Sequence, residues 1–303
     1  PMSRHPDRGP DEVADPLAAL HHVGRFADRD LLPHPVYGGQ APGLTYAPFV
    51  TRHTGSVHTN FGVLELAPDA KSETMFHAFE KGVFVISGTL DLMIGAQVHR
   101  LGEGHHALIP TGTTHAFHNP SDASARWIMV ESPQPKLPDT WRDTWFSGPC
   151  EWPADAQAPD LADIRNTGLG KYAESQLPPT SEVVPDNLYG FSMRMLMDGN
   201  FGATHFFMFI INFPDGGMCN HHDHPFEEAY FILEGAVECE MDGRRYTLEA
   251  GDYAWTGVGS RHGFFPKAGQ PVRWLEVQVP QPPRREWQRW FSQWDYIETT
   301  LRF

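Results

Sequence analysis

Short hydrophobic runs separated by turn residues dominate the second half of the chain. Apolar or alternating runs rich in aromatic and β-branched residues occupy 206–213, 227–233, 237–241 and 273–279. Turn signals interrupt them, and the pair Asp242-Gly243 between two such runs is typical of a β-hairpin. Many short strands at a spacing of about 8–12 residues predict an all-β sandwich or barrel.

Helical spacing of apolar residues is confined to two segments near the ends of the chain. Residues 15–26 form one predicted helix. Residues 284–294 form the other, in which Trp287, Trp290 and Trp294 recur at helical spacing. We interpret this aromatic stripe as core or interface packing.

The chain contains an internal repeat. Residues of the first half recur 147 positions later without gaps, as in the pairs His58 and His205, His77 and His224, Gly88 and Gly235, Gly112 and Gly259, and His115 and His262. A constant register over about 75 residues indicates two copies of one fold with equal loop lengths. The sequence therefore predicts two tandem β domains.

The repeat suggests a domain plan for the 303 residues, a length that accommodates two domains. We predict an N-terminal arm over 1–50 and an N-terminal barrel over 51–146. A linker rich in Pro, Ala, Asp and Gly is predicted over 147–190, followed by a C-terminal barrel over 191–303 that includes the second helix.

The second copy carries a set of residues typical of a metal site. His222 and His224 are two positions apart, so both point to one face of a strand. Glu228 lies on the next run and His262 on a later one. Three imidazoles and one carboxylate suit divalent Mn, Fe, Co, Ni, Cu or Zn. Cys219 also lies close in sequence, and we interpret it as a small residue in a turn.

These residues resemble the two motifs of the cupin superfamily. The second copy matches G-x5-H-x-H-x3,4-E-x6-G at Gly216, His222, His224, Glu228 and Gly235. The first copy matches G-x5-P-x-G-x2-H-x3-N at Gly104, Pro110, Gly112, His115 and Asn119. The second copy departs from this second motif, with Gly257 in place of Pro and Pro266 in place of Asn. Both positions shape turns and leave the ligands unaffected.

The resemblance implies a two-domain protein, a bicupin, in which each half is a double-stranded β-helix, or jelly-roll, barrel. It also implies one divalent metal per chain, with Mn or Fe favoured, bound in the C-terminal barrel by His222, His224, Glu228 and His262.

The first copy has lost two of these ligands. The same register there contains Met75, His77, Lys81 and His115. An ammonium group cannot bind a metal, so we predict that Lys81 replaces the charge of the ion and that this barrel is metal-free and structural. Glu80 aligns with Glu227, which is predicted to face outward.

The residues around the metal site are predicted from strand parity and from their polarity. The candidate pocket residues are Tyr230, Phe264, Trp255, His205, Phe207 and Arg194. Most of them are aromatic, which indicates an apolar pocket with few polar groups. Glu228 is in addition a candidate acid or base.

The composition narrows the class of protein. Hydrophobic residues make up 40% and charged residues 20%, which is typical of a globular chain. With 38 acidic against 23 basic residues the net charge is −15, so neither nucleic acid nor a membrane is an expected partner. The sequence has no apolar run long enough to span a membrane and no signal-peptide core, which predicts a cytoplasmic location.

Three functions are compatible with these observations. The first is a metal-dependent oxidoreductase of the dioxygenase type that acts on a small aromatic or carbonyl/carboxylate substrate, as in many bicupins. The second is a Mn(II)-dependent hydrolase, because the chain also resembles the ureidoglycine aminohydrolase group in having a degenerate N-terminal barrel. In that group, however, the ligands follow a different order. The third is a cupin that binds a small molecule without catalysis. We expect a homodimer or a larger homo-oligomer.

Overall fold

A computed structural model of the chain describes residues 20–138, 140–282 and 289–290. The first twelve strands are β1 His21–Arg25, β2 Leu32–Pro33, β3 Leu44–Val50, β4 Asn60–Leu66, β5 Thr74–His77, β6 Glu80–Ser87, β7 Leu90–Ile94, β8 Gln97–Leu101, β9 His105–Ile109, β10 His115–His118, β11 Ala125–Ser132 and β12 Thr144–Gly148.

The second group of strands repeats this plan. It comprises β13 Leu169–Lys171, β14 Ser181–Val184, β15 Leu188–Met197, β16 Phe207–Phe213, β17 Met218–Asp223, β18 Glu227–Glu234, β19 Ala236–Met241, β20 Arg244–Glu249, β21 Asp252–Thr256, β22 His262–Phe265, β23 Val272–Val279 and β24 Arg289–Trp290. The helical elements of the described chain are single 3₁₀ turns at Phe26–Asp28, Gly38–Gln40, Arg52–Thr54, Ile164–Asn166, Glu174–Gln176 and Gly199–Phe201. The predicted all-β class is thus confirmed, and no helix in the described residues is long and apolar enough to cross a membrane.

Each half forms a barrel of antiparallel strands. In the first half, a seven-stranded sheet in the order β13-β9-β6-β11-β4-β3-β2 faces a five-stranded sheet in the order β12-β5-β10-β7-β8. In the second half, one sheet curls round in the order β1-β21-β18-β23-β16-β15-β17-β22-β19-β20. The predicted hairpin at Asp242-Gly243 joins β19 to β20, with Met241 paired to Arg244.

The two barrels exchange their leading strands. Strand β1 precedes the first barrel but pairs with β21 of the second, where Val23 lies opposite Ala254. Strand β13 precedes the second barrel but pairs with β9 of the first, where Gly170 lies opposite His106. Segments of the predicted arm and linker therefore each extend a sheet of the opposite barrel.

The predicted helix over 15–26 is wrong where the structure describes it. Residues 21–25 form β1 because the open edge of β21 offers them a ladder of backbone hydrogen bonds, which outweighs local helical spacing. Within the predicted helix over 284–294, residues 289–290 form β24 against β17 instead. The other residues of both segments lie outside the described chain.

Three apolar clusters account for the packing. One fills the first barrel around Trp127, and another fills the second around Trp274. The third lies between the barrels, where Phe49 stacks on Tyr253 with ring centroids 4.0 Å apart. A shared apolar core of this kind holds the barrels together, because separating them would expose it to water.

Polar contacts related by the repeat reinforce this interface. Glu80 accepts hydrogen bonds from the backbone N–H groups of Thr204 and His205, 2.7–3.1 Å away. Glu227 accepts equivalent bonds from the Ser56 hydroxyl at 2.6 Å and the Val57 N–H at 2.7 Å. Both glutamates thus point out of their barrels and each binds a loop of the other half.

Two turn glycines provide a test of the packing between strands. Gly235 and Gly243 both have a left-handed φ, at 75° and 79°. A methyl group at Gly235 would lie 2.0 Å from the Pro271 carbonyl oxygen, whereas one at Gly243 would meet nothing within 4 Å. We expect Gly243→Ala to cost about 1–2 kcal/mol through backbone strain alone. Gly235→Ala should cost at least about 2 kcal/mol more because backbone atoms must shift.

The measurement for this pair is the free energy of unfolding in urea. Equal losses in the two variants would contradict the close approach of the Gly235 turn to the segment that leads into β23.

Candidate metal centre

Four side chains converge inside the second barrel. His222 comes from β17, His224 from the residue that follows this strand, Glu228 from β18 and His262 from β22. One nitrogen or oxygen atom from each lies within 4.8 Å of the others, and all four residues are buried. The structure therefore brings together the full set predicted from the sequence.

Backbone contacts orient two of the imidazoles. The Nδ1 atom of His222 lies 2.6 Å from the Asn220 carbonyl oxygen, and that of His262 lies 2.9 Å from the Ser260 carbonyl oxygen. A ring that donates its Nδ1 proton to a carbonyl presents an unprotonated Nε2 on the other side. Burial, together with His262 and His224, lowers the pKa of His222 well below its usual range, which keeps this ring neutral.

Glu228 is held as a carboxylate. Burial alone would raise its pKa, but interactions with His224 and His262 lower the pKa of Glu228 well below its usual range. The Tyr230 hydroxyl donates to one carboxylate oxygen, and Gln278 Nε2 donates to the other at 2.8 Å. This environment favours a ligand role for Glu228 over the predicted role as an acid or base.

The donor set fits a divalent cation. His262 Nε2 is buried and lies 2.9 Å from a Glu228 oxygen, yet it makes no hydrogen bond of acceptable geometry. A buried ring nitrogen that faces a carboxylate oxygen without hydrogen-bond geometry, beside two further imidazoles, is costly unless a cation lies between them. Nitrogen and oxygen donors in this ratio suit the divalent ions from Mn to Zn.

Cys219 lies beside the cluster without joining it. Its Sγ is 3.8 Å from His222 Nδ1, the nitrogen that faces the Asn220 carbonyl. Burial raises the pKa of the Cys219 thiol well above its usual value, so the thiolate that a metal would require is disfavoured.

The predicted pocket residues fall into two groups. Tyr230 contacts Glu228, Phe264 packs against Tyr230 with ring centroids 5.1 Å apart, and Phe207 packs against the core of the same barrel. The other three residues lie elsewhere, and the physical reasons differ between them.

Trp255, His205 and Arg194 are the misplaced candidates. Trp255 and Thr256 are adjacent on β21, so their side chains point to opposite faces of the strand. Trp255 points into the core between the barrels, and its Nε1 lies 3.4 Å from Glu227. His205 lies in a loop that Glu80 binds. Arg194 is exposed on the outer face of β15.

Sequence reasoning missed three residues of this centre. Gln278 and Glu276 lie on β23 at the parity of Trp274, and strand alternation could have identified both as inward-facing. Trp290 pairs with His222 through the backbone of β24, and the two rings have centroids 5.1 Å apart. No local signal indicates this contact, because it depends on the return of the C-terminal segment to β17.

The first barrel shows the opposite arrangement of charge. Lys81 is completely buried at the position equivalent to Glu228, where its Nζ donates to the Tyr37 hydroxyl and lies 3.3 Å from Glu131. Glu131 stands 147 positions before Gln278. A lysine and glutamate pair therefore replaces the glutamate and glutamine pair of the second barrel.

The histidines of the first barrel keep the geometry of ligands. His115 Nδ1 lies 3.1 Å from the Thr113 carbonyl oxygen, which mirrors His262 and Ser260. The Nε2 atoms of His77 and His115 are buried without a hydrogen-bond partner. Burial and then the Lys81 ammonium lower the pKa of His115 to about 3. These contacts support the prediction that Lys81 takes the place of an ion, while Met75 simply joins the apolar core.

The repeat provides a matched pair of substitutions for metal binding. We expect about one Mn or Fe ion per wild-type chain after reconstitution, and binding at least about 100-fold weaker in His262→Ala, since even residues that only support a ligand affect affinity 10–100-fold. His115→Ala should keep the full metal content. Elemental analysis of dialysed protein measures this, and two ions per wild-type chain would contradict a metal-free first barrel.

Lys81 allows a separate test of the buried charge. Lys81→Met would leave the Glu131 carboxylate buried without its cation, so we expect a loss of about 3–5 kcal/mol in the free energy of unfolding. The double variant Lys81→Met/Glu131→Gln removes both charges and should recover most of that loss. Urea unfolding at neutral pH distinguishes these outcomes, and a single variant as stable as wild type would argue against the ion pair.

Comparisons with known proteins agree with the fold and the repeat. The family model described as "Cupin domain" matches residues 62–131 and 209–278. The tetracenomycin polyketide synthase protein TcmJ of Streptomyces glaucescens is 30% identical over 108 residues, which cover 35% of this chain and 72% of that protein. The polyketide synthase CurC of Streptomyces cyaneus is 27% identical over 105 residues, or 34% of this chain and 68% of that one.

Two solved structures are similar along most of the chain. Salicylate 1,2-dioxygenase from Pseudoaminobacter salicylatoxidans superposes with a TM-score of 0.66 at 14% identity and covers 86% of this chain and 81% of its own. Oxalate decarboxylase from Lactobacillus farciminis superposes with a TM-score of 0.64 at 15% identity over 94% of each chain. At these identities the likeness establishes the fold. With a cupin barrel in each half, the chain belongs to the cupin superfamily as a bicupin.

Proposed function

We propose that this bicupin is a metal-dependent oxidoreductase of the dioxygenase type, acting on a small substrate at a single divalent metal in the second barrel. The observation that carries the proposal is the convergence of His222, His224, Glu228 and His262 on one buried point. The similarity in fold between this chain and a salicylate dioxygenase supports the choice of oxygen chemistry.

The residues of this chain would do three things for such a reaction. The three imidazoles and Glu228 would hold an Mn or Fe ion, which when bound supplies Lewis acidity and one-electron redox chemistry. Tyr230 and Gln278 would fix the orientation of the Glu228 carboxylate through their hydrogen bonds. The aromatic walls around Phe264 would exclude water from the reacting groups.

The division of labour between the barrels also follows from the charges. In the first barrel the Lys81 ammonium lies where the ligand Glu228 lies in the second, so an ion there would meet a like charge. We therefore assign the reaction to the second barrel and a supporting role to the first, which supplies a strand and a loop contact to its neighbour.

Turnover with and without oxygen tests the proposal. We expect protein reconstituted with Mn or Fe to consume oxygen with at least one member of a panel of phenols and diketones. The rate should fall at least about 100-fold in His262→Ala, because the ligand set is broken, and should stay near wild type in His115→Ala. An oxygen electrode measures this directly.

Anaerobic turnover would contradict the proposal. Release of ammonia from ureido compounds would instead indicate a metal-dependent hydrolase, and binding of these compounds without any turnover would indicate a binding cupin.

A further inference from the structure

A second buried carboxyl group lies beside the metal centre. Strand β23 alternates between two environments, with Leu275 and Val277 in the core between the barrels and Trp274 in the core of the second barrel. Glu276 and Gln278 share the parity of Trp274 and are 8% and 7% exposed. Glu276 therefore faces the interior in which the four candidate ligands converge.

Both oxygens of Glu276 are held in place by neighbouring donors. Trp274 Nε1 donates to Oε2 at 2.9 Å, and Gln278 Nε2 lies 3.3 Å from Oε1. The same Gln278 nitrogen donates to Glu228 at 2.8 Å, so one amide links the candidate metal ligand to the second carboxyl group. Each Glu276 oxygen keeps a lone pair for a further hydrogen bond.

The internal repeat shows that the barrel does not need this carboxyl group for packing. The equivalent residue of the first barrel is Met129, which is buried against the same apolar core as Trp127. Trp127 Nε1 has no hydrogen-bond partner there, so this fold tolerates the tryptophan without an acid to accept from it. A buried carboxyl group is costly, and the second barrel places one where the first has methionine, which points to a ligand.

The surroundings of Glu276 indicate what that ligand is. Phe264 stacks on Trp274 with centroids 5.0 Å apart, and Trp290 places a half-buried ring beside His222. Among the described side chains, Lys81 is the sole lysine or arginine that is buried, and it belongs to the other barrel. A substrate carboxylate would thus lie near Glu228 and Glu276, and no buried lysine or arginine of the described second barrel would offset their repulsion.

We infer that Glu276 binds the hydroxyl group of an uncharged aromatic substrate, a phenol, whose ring lies against the aromatic walls of the second barrel. This inference rests on the proposed function in taking the interior of that barrel as the substrate site. A hydroxyl group can donate to a carboxylate or accept from a carboxylic acid, so it suits Glu276 in either protonation state. A methyl ether of the same ring lacks the donor.

The test compares phenol with anisole, its methyl ether, as probes of Zn(II)-reconstituted protein by calorimetric titration. Zinc keeps the complex free of redox chemistry. We expect wild-type protein to bind phenol about tenfold more tightly than anisole, the contribution of one hydrogen bond to a charged or buried group. Glu276→Met introduces the residue that the first barrel has at this position. In this variant the ratio of phenol affinity to anisole affinity should fall close to one, while the anisole affinity stays unchanged.

Three controls separate this role from a structural one. Glu276→Gln keeps a carbonyl acceptor and should retain part of the preference, and His115→Ala in the first barrel should retain all of it. Zinc content and the midpoint of thermal unfolding should match wild type in Glu276→Met. Equal loss of both probes would mean a structural role and overturns the inference.

Other outcomes also overturn it. A preference for phenol that survives in Glu276→Met would place the hydroxyl on the metal alone. The absence of a preference in wild type would remove the basis for assigning the hydroxyl to Glu276. Neither result bears on oxygen consumption. Conversely, a protein that prefers phenol but consumes no oxygen would disprove the proposed reaction and leave the role of Glu276 intact.

Discussion

The interior of each barrel has to balance the charge and the lone pairs of a buried polar cluster. Neutral imidazoles whose Nε2 atoms point inward are unfavourable in an apolar core unless a cation or a donor lies among them. The second barrel brings His222, His224 and His262 together with Glu228, a set that could hold a divalent ion. The first barrel places the Lys81 ammonium there and balances it with Glu131. The same constraint thus favours a bound cation in the second barrel, whereas the Lys81 ammonium supplies the positive charge in the first.

The pairing of the barrels follows from the same repeat. Each barrel lends its leading strand to the other, and each projects a glutamate into a loop of the other. The core between them includes Phe49 and Tyr253, which neither barrel could bury alone. The second barrel depends on the first, which supplies a strand, a loop contact and an apolar face to it.

Differences between equivalent positions of the two barrels show which polar residues the fold itself does not need. Trp127 and Trp274 pack alike, but only the second has an acid to accept its N–H. Glu131 and Gln278 occupy one position, yet the first neutralises a lysine and the second donates to a carboxylate. Because the backbone is shared, such contrasts indicate which polar groups the fold does not require.

The sequence by itself determined the all-β class, the repeat, the four convergent side chains and the different residues at two of the equivalent positions in the first half. Those features depend on local patterns and on a register that strand geometry preserves, since residues two apart share a face. Strand alternation also predicts that Glu276 and Gln278 face the interior of the barrel, although their polarity alone does not identify them as residues of the site.

Only the tertiary structure decided the rest. The predicted helix over 15–26 gave way to β1 because a distant sheet edge offered better hydrogen bonds than helical spacing did. Trp255 turned toward the core between the barrels, and Trp290 reached His222, through contacts between segments far apart in the chain. Sequence patterns report which face a residue occupies, but the partner that covers that face is set by long-range packing.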